Sequence, residues 1–116
     1  MNTITKEALD RYVYTISGIE GVSLVYLFGS YAYGIPDEGS DIDLLVVVDD
    51  NSDVNMTAIR IQKELANRVI PLDVIVNRES SFFRAAEGIT LQSHIKDEGV
   101  LLYARERLQS LDEPCI

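Results

Sequence analysis

The chain is poor in several residue types at once. It has one cysteine (Cys115), one histidine (His94), three prolines and no tryptophan in 116 residues. A single cysteine cannot close an internal disulfide, so stability must come from a packed core, and a reducing, cytoplasmic setting is the simplest compartment. No apolar run approaches the roughly 20 residues that a membrane-spanning helix needs. The stretch Met1 to Glu7 also lacks the apolar core of a signal peptide. Cations are scarce: 10 Lys and Arg stand against 19 Asp and Glu, a net charge of −9. Such a balance repels a phosphate backbone and argues against a dedicated nucleic-acid partner. A nucleotide is still compatible with it, because bound divalent cations reverse the local sign. No Gly-Lys-Ser/Thr follows a glycine-rich turn, which removes the P-loop. The glycine and distal glutamate of a calcium loop are absent as well.

What is present suffices for a core. Hydrophobic residues make up 47% and charged residues 25% of the chain, which suits one domain over residues 1–116, with a core of about 5–103 and a C-terminal tail of 104–116. Ala8, Leu9, Tyr12, Val13 and Ile16 recur at helical spacing and predict a helix from Thr5, its cap, to Ser17. Val22 to Phe28 is a β-rich apolar run. Tyr31 to Ser40 reads as a short helical turn and then a loop. Asp41 to Val48 predicts a central strand, apolar on both faces beyond Leu44. Met56, Ile59, Ile61, Leu65, Ala66 and Val69 predict a helix running to about Arg68. Pro71 interrupts it, and Leu72 to Val76 forms a third strand. Two short helices are expected at 79–86 and 91–97, then a short strand at 100–103. The helical crossover between the second and third strands favours a parallel pair, and the shorter link between the first and second permits an antiparallel one. The fold class is α/β (α+β): a small mixed sheet with packed helices.

Against this background three acids stand out. Asp41 and Asp43 sit at i and i+2 in one strand, so both point to the same face with Cα atoms roughly 6.5–7 Å apart. Asp73 opens the apolar run Val74-Ile75-Val76, in what could be the neighbouring strand. Acids facing the core side of an apolar strand are rare unless paired or bound to metal. Three such carboxylates can hold two Mg²⁺ ions about 3.5–4 Å apart, the arrangement that nucleotidyl transfer uses to neutralise a triphosphate and activate a hydroxyl. Asp73 is the best placed to take the hydroxyl proton. Ten residues before Asp41, Gly29-Ser30 turns the chain directly after a strand. Glycine allows backbone to approach a phosphate closely, and the Ser30 hydroxyl can donate to it. Each piece occurs widely by itself; the order and spacing carry the inference.

Gly29-Ser30, ten residues, Asp41-Ile42-Asp43-Leu44, and later Asp73-Val74-Ile75-Val76 together resemble the nucleotidyltransferase superfamily that includes DNA polymerase beta. The short length and the ending Ile95-Lys96-Asp97-Glu98-Gly99-Val100-Leu101-Leu102-Tyr103 are similar to its minimal nucleotidyltransferase (MNT) branch. The resemblance implies the polymerase-beta-like fold and transfer of a nucleoside monophosphate with release of pyrophosphate. It implies Gly29 and Ser30 as phosphate-binding residues, Asp41, Asp43 and Asp73 as catalytic metal ligands, Mg²⁺ (two ions) as cofactor and ATP as the nucleotide substrate. Minimal members are often antitoxins of HEPN-domain toxins, which they modify with AMP on a tyrosine. Tyr31 and Tyr33 stand where many relatives carry arginine, replacing a cation by a hydroxyl and a ring.

Two other functions stay open beside this one. The chain could be an MNT-fold binding module that neutralises a partner by masking it. It could also transfer nucleotide to a small-molecule hydroxyl, with a homo-oligomer building the pocket. Elsewhere, Tyr12, Tyr14, Tyr26 and Tyr103 are expected to pack, His94 to lie on or near the surface, and Asp49, Asp50 and Asp53 to form a solvated turn. Phe82 and Phe83 are core or an exposed patch.

Overall fold

The computed structural model describes residues 3–34 and 40–106. Nine elements follow in order: α1 (Thr3–Ser17), β1 (Val22–Phe28), α2 (Ser30–Tyr33), β2 (Ile42–Val48), α3 (Val54–Glu64), β3 (Leu72–Arg78), α4 (Glu79–Ala85), α5 (Leu91–Glu98) and β4 (Val100–Ala104). The strands form one mixed sheet in the order β3-β2-β1-β4. β1 pairs antiparallel with both β2 and β4, and β2 pairs parallel with β3.

The two central strands explain their own composition. All seven residues of β1 except Phe28 are buried, as are all of β2 except Asp43. Alternate side chains therefore feed two separate cores. On one face Val25, Leu27, Leu44 and Val46 meet Leu9, Tyr12 and Ile16 of α1 and Ile61 of α3. On the other face Leu24, Tyr26, Leu45 and Val47 meet Phe82 of α4 and Ile95 of α5. The result is three layers, helices on both sides of the sheet. Phe82 belongs to the core and touches Tyr26 and Phe83 with its ring.

Several expectations need correction. Thr5 is no cap: α1 is already helical at Thr3, and Thr5 is buried inside it. Tyr14 does not pack; it is 82% exposed on the outer face of α1. Met56, Ile59 and Val69 are exposed too. The inward stripe of α3 is Thr57 and Ile61, continued by Leu65, and the helix stops at Glu64 instead of Arg68. β2 starts at Ile42, so Asp41 lies just before the strand. Asp49 and Asp53 are structural rather than simply solvated. Asp49 accepts from Asn51 N–H and Ser52 Oγ and lies 3.8 Å from Arg105, while Asp53 caps α3 through Met56 N–H. The loop expected after α2 and most of the tail, Cys115 included, fall outside the described residues. Among the described residues no helix is long and apolar enough to cross a membrane.

Candidate active site

The acids are placed by the sheet register. In the parallel β2–β3 ladder Asp43 is the direct partner of Asp73. In the antiparallel β1–β2 ladder Asp43 is the partner of Phe28, the residue before Gly29. Asp43 lies between Ile42 and Leu44, which fill the α1/α3 core, so its side chain faces the α4/α5 side. Asp73 has the same parity, one residue before Val74 and two before Ile75. Both carboxylates emerge at one end of the sheet, beyond the last apolar layer.

Two hydrogen bonds hold that end together. Ile42 N–H donates to Pro71 O at 2.9 Å, tying the start of β2 to the residue before β3. The Tyr12 hydroxyl donates to Ile70 O at 2.7 Å and accepts from Ile70 N–H at 3.0 Å. A buried tyrosine from α1 thus fixes the chain that leads into Asp73. Pro71, with no N–H of its own, sits where the ladder has not yet begun.

Gly29 closes the site. Its φ is +76°, a conformation that favours glycine. A Cβ there would collide with Asp43 Oδ2 and lie 3.0 Å from Asp43 Cγ. The absence of a side chain is what lets the Asp43 carboxylate lie against the bend. The Gly29 carbonyl accepts from Ala32 N–H and Tyr33 N–H, both at 3.0 Å, which starts the single turn of α2. Ser30 is exposed at its first position.

The electrostatics follow from this crowding. The Asp43 carboxyl is raised above the usual carboxylate range, first by burial, then by the charges of Asp73 and Asp41 and by a hydrogen bond with Asp73. Asp73 and Asp41 therefore lie near enough for their charges to act on Asp43. Hard carboxylate oxygens that repel one another are the donor set Mg²⁺ takes, so the residues fit that ion chemically. Yet among the described residues no group of three or more His, Cys, Asp or Glu side chains is already gathered around a cation position. The ready-made element is the Asp43–Asp73 pair.

The residues that sequence reasoning did not assign come from α5. Its C-terminal Gly99 is pressed between Ile95 O and Leu27 O, at 2.5 and 3.0 Å from where a Cβ would stand. That approach docks α5 on the end of β1, beside the bend. There the His94 ring meets the Tyr33 ring edge-on, with centroids 4.9 Å apart. The Tyr33 hydroxyl is raised above its ordinary value by burial and by the charges of Glu98 and Asp43, with the nearby Gly29 backbone opposing. His94 and Glu98 are four residues apart and share one helix face, the one signal that could have paired them. Tyr31 turns the other way: its ring packs on the main core and its hydroxyl donates to Ser40 O at 3.3 Å. The depression of about 580 Å³ lined by Ile19, Asp49, Asp53 and Arg60 lies past the opposite end of β2, away from these acids.

Comparisons with known proteins agree with this fold. The family described as "Polymerase beta, Nucleotidyltransferase" matches residues 14–108. No curated protein sequence matches the chain. Among solved structures, the chain is similar to one from a toxin–antitoxin complex with AMP-PNP (TM-score 0.59, 23% identity, covering 92% of this chain and 79% of that one). It is similar to a nucleotidyltransferase from Sulfolobus solfataricus whose assignment is provisional (TM-score 0.53, 25% identity, 90% and 80% covered). A third likeness is to a chain from the complex of tri-AMPylated Shewanella oneidensis HEPN toxin with MNT antitoxin (TM-score 0.54, 21% identity, 97% and 80% covered). The likenesses below 25% identity concern the fold, while the family match spans every residue of the candidate site. The chain belongs to the polymerase beta nucleotidyltransferase family.

Proposed function

We propose that this protein transfers a nucleoside monophosphate, AMP from ATP, to a hydroxyl on a partner protein, and that the partner is a HEPN toxin whose tyrosine is the acceptor. The observation that carries this reading is the register pairing of Asp43 with Asp73, with the Asp43 carboxylate lying against the side-chain-free wall of Gly29.

In this reading Asp41, Asp43 and Asp73 hold Mg²⁺, which supplies charge neutralisation for the triphosphate and lowers the barrier to ionising the acceptor. Gly29 and Ser30 position the phosphates, Gly29 by its close-lying backbone and Ser30 through its hydroxyl. The acceptor oxygen attacks the α-phosphorus, and the bond from that phosphorus to the pyrophosphate-bridging oxygen breaks. The acceptor proton passes to the Asp73 carboxylate, the most exposed of the three, and from there to solvent. The acids open at the end of the sheet, so a second molecule can present the acceptor. The relatives crystallised with AMP-PNP and with an AMPylated toxin support the choice of nucleotide and partner.

The test is incubation of the chain with labelled ATP, Mg²⁺ and a HEPN-domain protein sought in the adjacent reading frame. The HEPN tyrosine should take up label, and Asp41→Asn or Asp43→Asn should abolish uptake. Label that survives both substitutions would defeat the proposal.

A second reading has one observation in its favour: Tyr33 puts a hydroxyl, not a cation, beside the Gly-Ser bend. In that reading the protein is a binding module that neutralises its partner by forming a complex. It requires full neutralisation by the Asp41→Asn/Asp43→Asn double variant, with no nucleotide added.

A further inference from the structure

The stretch that carries the bend has no cation of its own. Between Arg11 and Arg60 the chain holds neither Lys nor Arg, so β1, Gly29-Ser30, α2 and β2 all lack one. A nucleoside triphosphate needs donors for its outer phosphates besides the metal that the acids hold. The fold brings a nitrogen-bearing side chain to the bend from elsewhere. α5 crosses the sheet from Asn77, opposite Val47, to Leu27, opposite Leu44. Its first turn is tied down where Gln92 Nε2 donates to Asn77 Oδ1 at 3.2 Å, and Ile95 is fully buried beneath it. Past its far end, Val100 is the ladder partner of Leu27. His94 projects from this fixed helix and is exposed. Its ring meets that of Tyr33 with centroids 4.9 Å apart and planes at 66°. Tyr33 in turn donates its backbone N–H to Gly29 O at 3.0 Å, and the Asp43 carboxylate lies against that same Gly29. The imidazole thus stands one ring away from the turn that opens at the bend. Among the described residues its nitrogens have no hydrogen-bond partner.

From this placement we infer that His94 is a phosphate ligand, whose ring N–H donates to the outer phosphates of a nucleotide lying on the Gly29-Ser30 bend. The inference rests on the nucleotidyltransferase reading, since it needs a triphosphate at the bend. A neutral imidazole carries one N–H, so it qualifies as a donor without being charged. A hydrogen bond to an anionic oxygen is stronger than one between neutral groups. Tyr33 gives the imidazole a defined seat, because edge-on aromatic pairs favour that separation. Asp97 and Glu98 follow on the same helix, and the charge of Glu98 reaches Tyr33. Bound Mg²⁺ must offset that negative field. The donor therefore acts on a metal–nucleotide complex and not on a bare triphosphate.

The experiment uses the full chain, with Mg²⁺ and AMP-PNP as the probe and calorimetry as the readout. His94→Phe keeps a ring against Tyr33 and removes both nitrogens. It should bind the probe about tenfold more weakly, the low end for losing a hydrogen bond to a charged group. His94→Arg replaces the donor with another that suits phosphate, and should bind at least as tightly as wild type. A second readout follows the imidazole itself. His94 is the one histidine of the chain, so its ring signals in NMR are unambiguous. They should shift further when AMP-PNP is added with Mg²⁺ than with Mg²⁺ alone. Wild-type affinity in His94→Phe would make the ring a packing element and overturn the inference. Equal losses in His94→Phe and His94→Arg would do the same, as would imidazole signals indifferent to the nucleotide. Those results leave the nucleotidyltransferase reading intact, because that is judged by label transfer and its loss in Asp43→Asn. Failure of the wild-type chain to bind the probe would remove both.

Discussion

Asp43 and Asp73 are register partners across the parallel β2–β3 ladder, and the charge of Asp73 helps to hold the Asp43 carboxyl above the usual carboxylate range. Two carboxylates brought near one another favour a proton or a cation between them. The pair is thus a device for holding positive charge, and its position at the end of two strands makes that charge accessible.

The first prediction concerns pH. Asp43 is raised by burial, by Asp73 and by Asp41, so the folded chain holds a proton that the unfolded chain releases. Stability without metal should therefore fall as pH rises from the unfolded carboxyl value of about 3.9 through the raised value of Asp43. Asp43→Asn should remove this loss and melt higher than wild type at neutral pH in chelator. Thermal melts across a pH series would check it; a wild-type curve that does not fall over that window contradicts the assignment. Mg²⁺ should raise the melting temperature of wild type more than that of Asp43→Asn. Catalysis should show the converse acid limb, declining as pH drops through the same Asp43 value.

The Gly29 bend gives the second. Gly29→Ala introduces a Cβ at φ +76° and drives it into the Asp43 carboxylate. The substitution should cost about 1–3 kcal/mol from backbone strain, with a further loss from displacing Asp43. Urea unfolding would measure the first. Loss of Mg²⁺–AMP-PNP binding in the variant that still folds would measure the second.

Core packing supplies the third. Phe82 is fully buried and is the main contribution of α4 to the second core. Phe82→Ala should destabilise the fold by about 3–5 kcal/mol. Tyr14→Ala, at an 82% exposed position, should change stability by no more than about 0.5 kcal/mol. Equal effects from the two would contradict the three-layer description.

The fourth separates structure from chemistry at the far end of β2. Asp53 accepts from Met56 N–H at 2.9 Å and caps α3. Asp53→Ala should cost about 1 kcal/mol of stability and leave nucleotide binding unchanged, because the acid site lies at the other end of the strand. A change in AMP-PNP affinity would show that α3 couples to the site.

The elements that were legible in the amino-acid order are those whose pattern is strong and local. β1 and β2 announce themselves as continuous apolar runs, and both are buried on both faces. The Gly-Ser bend and the Asp-x-Asp spacing survive translation into structure because they depend on neighbours a few residues away. α3 is legible only in part. Met56 and Ile59 fit a helical stripe on paper, but the helix turns Thr57 and Ile61 inward, and only the sheet determines which stripe is covered. The same holds for α1, where Tyr14 sits among apolar residues yet faces out.

Sequence by itself determined the order of the elements, the parallel crossover from β2 to β3, and which five residues are candidates for the chemistry. Local spacing suffices for these, because strand parity and turn preference act over short stretches of chain. Tertiary structure alone decided that Asp73 lands directly opposite Asp43, and that α5 brings His94 and Glu98 up to Tyr33. Those contacts join segments that lie far apart along the chain. Their placement follows from ladder register and from helices docking on two faces of one sheet, which no single segment encodes.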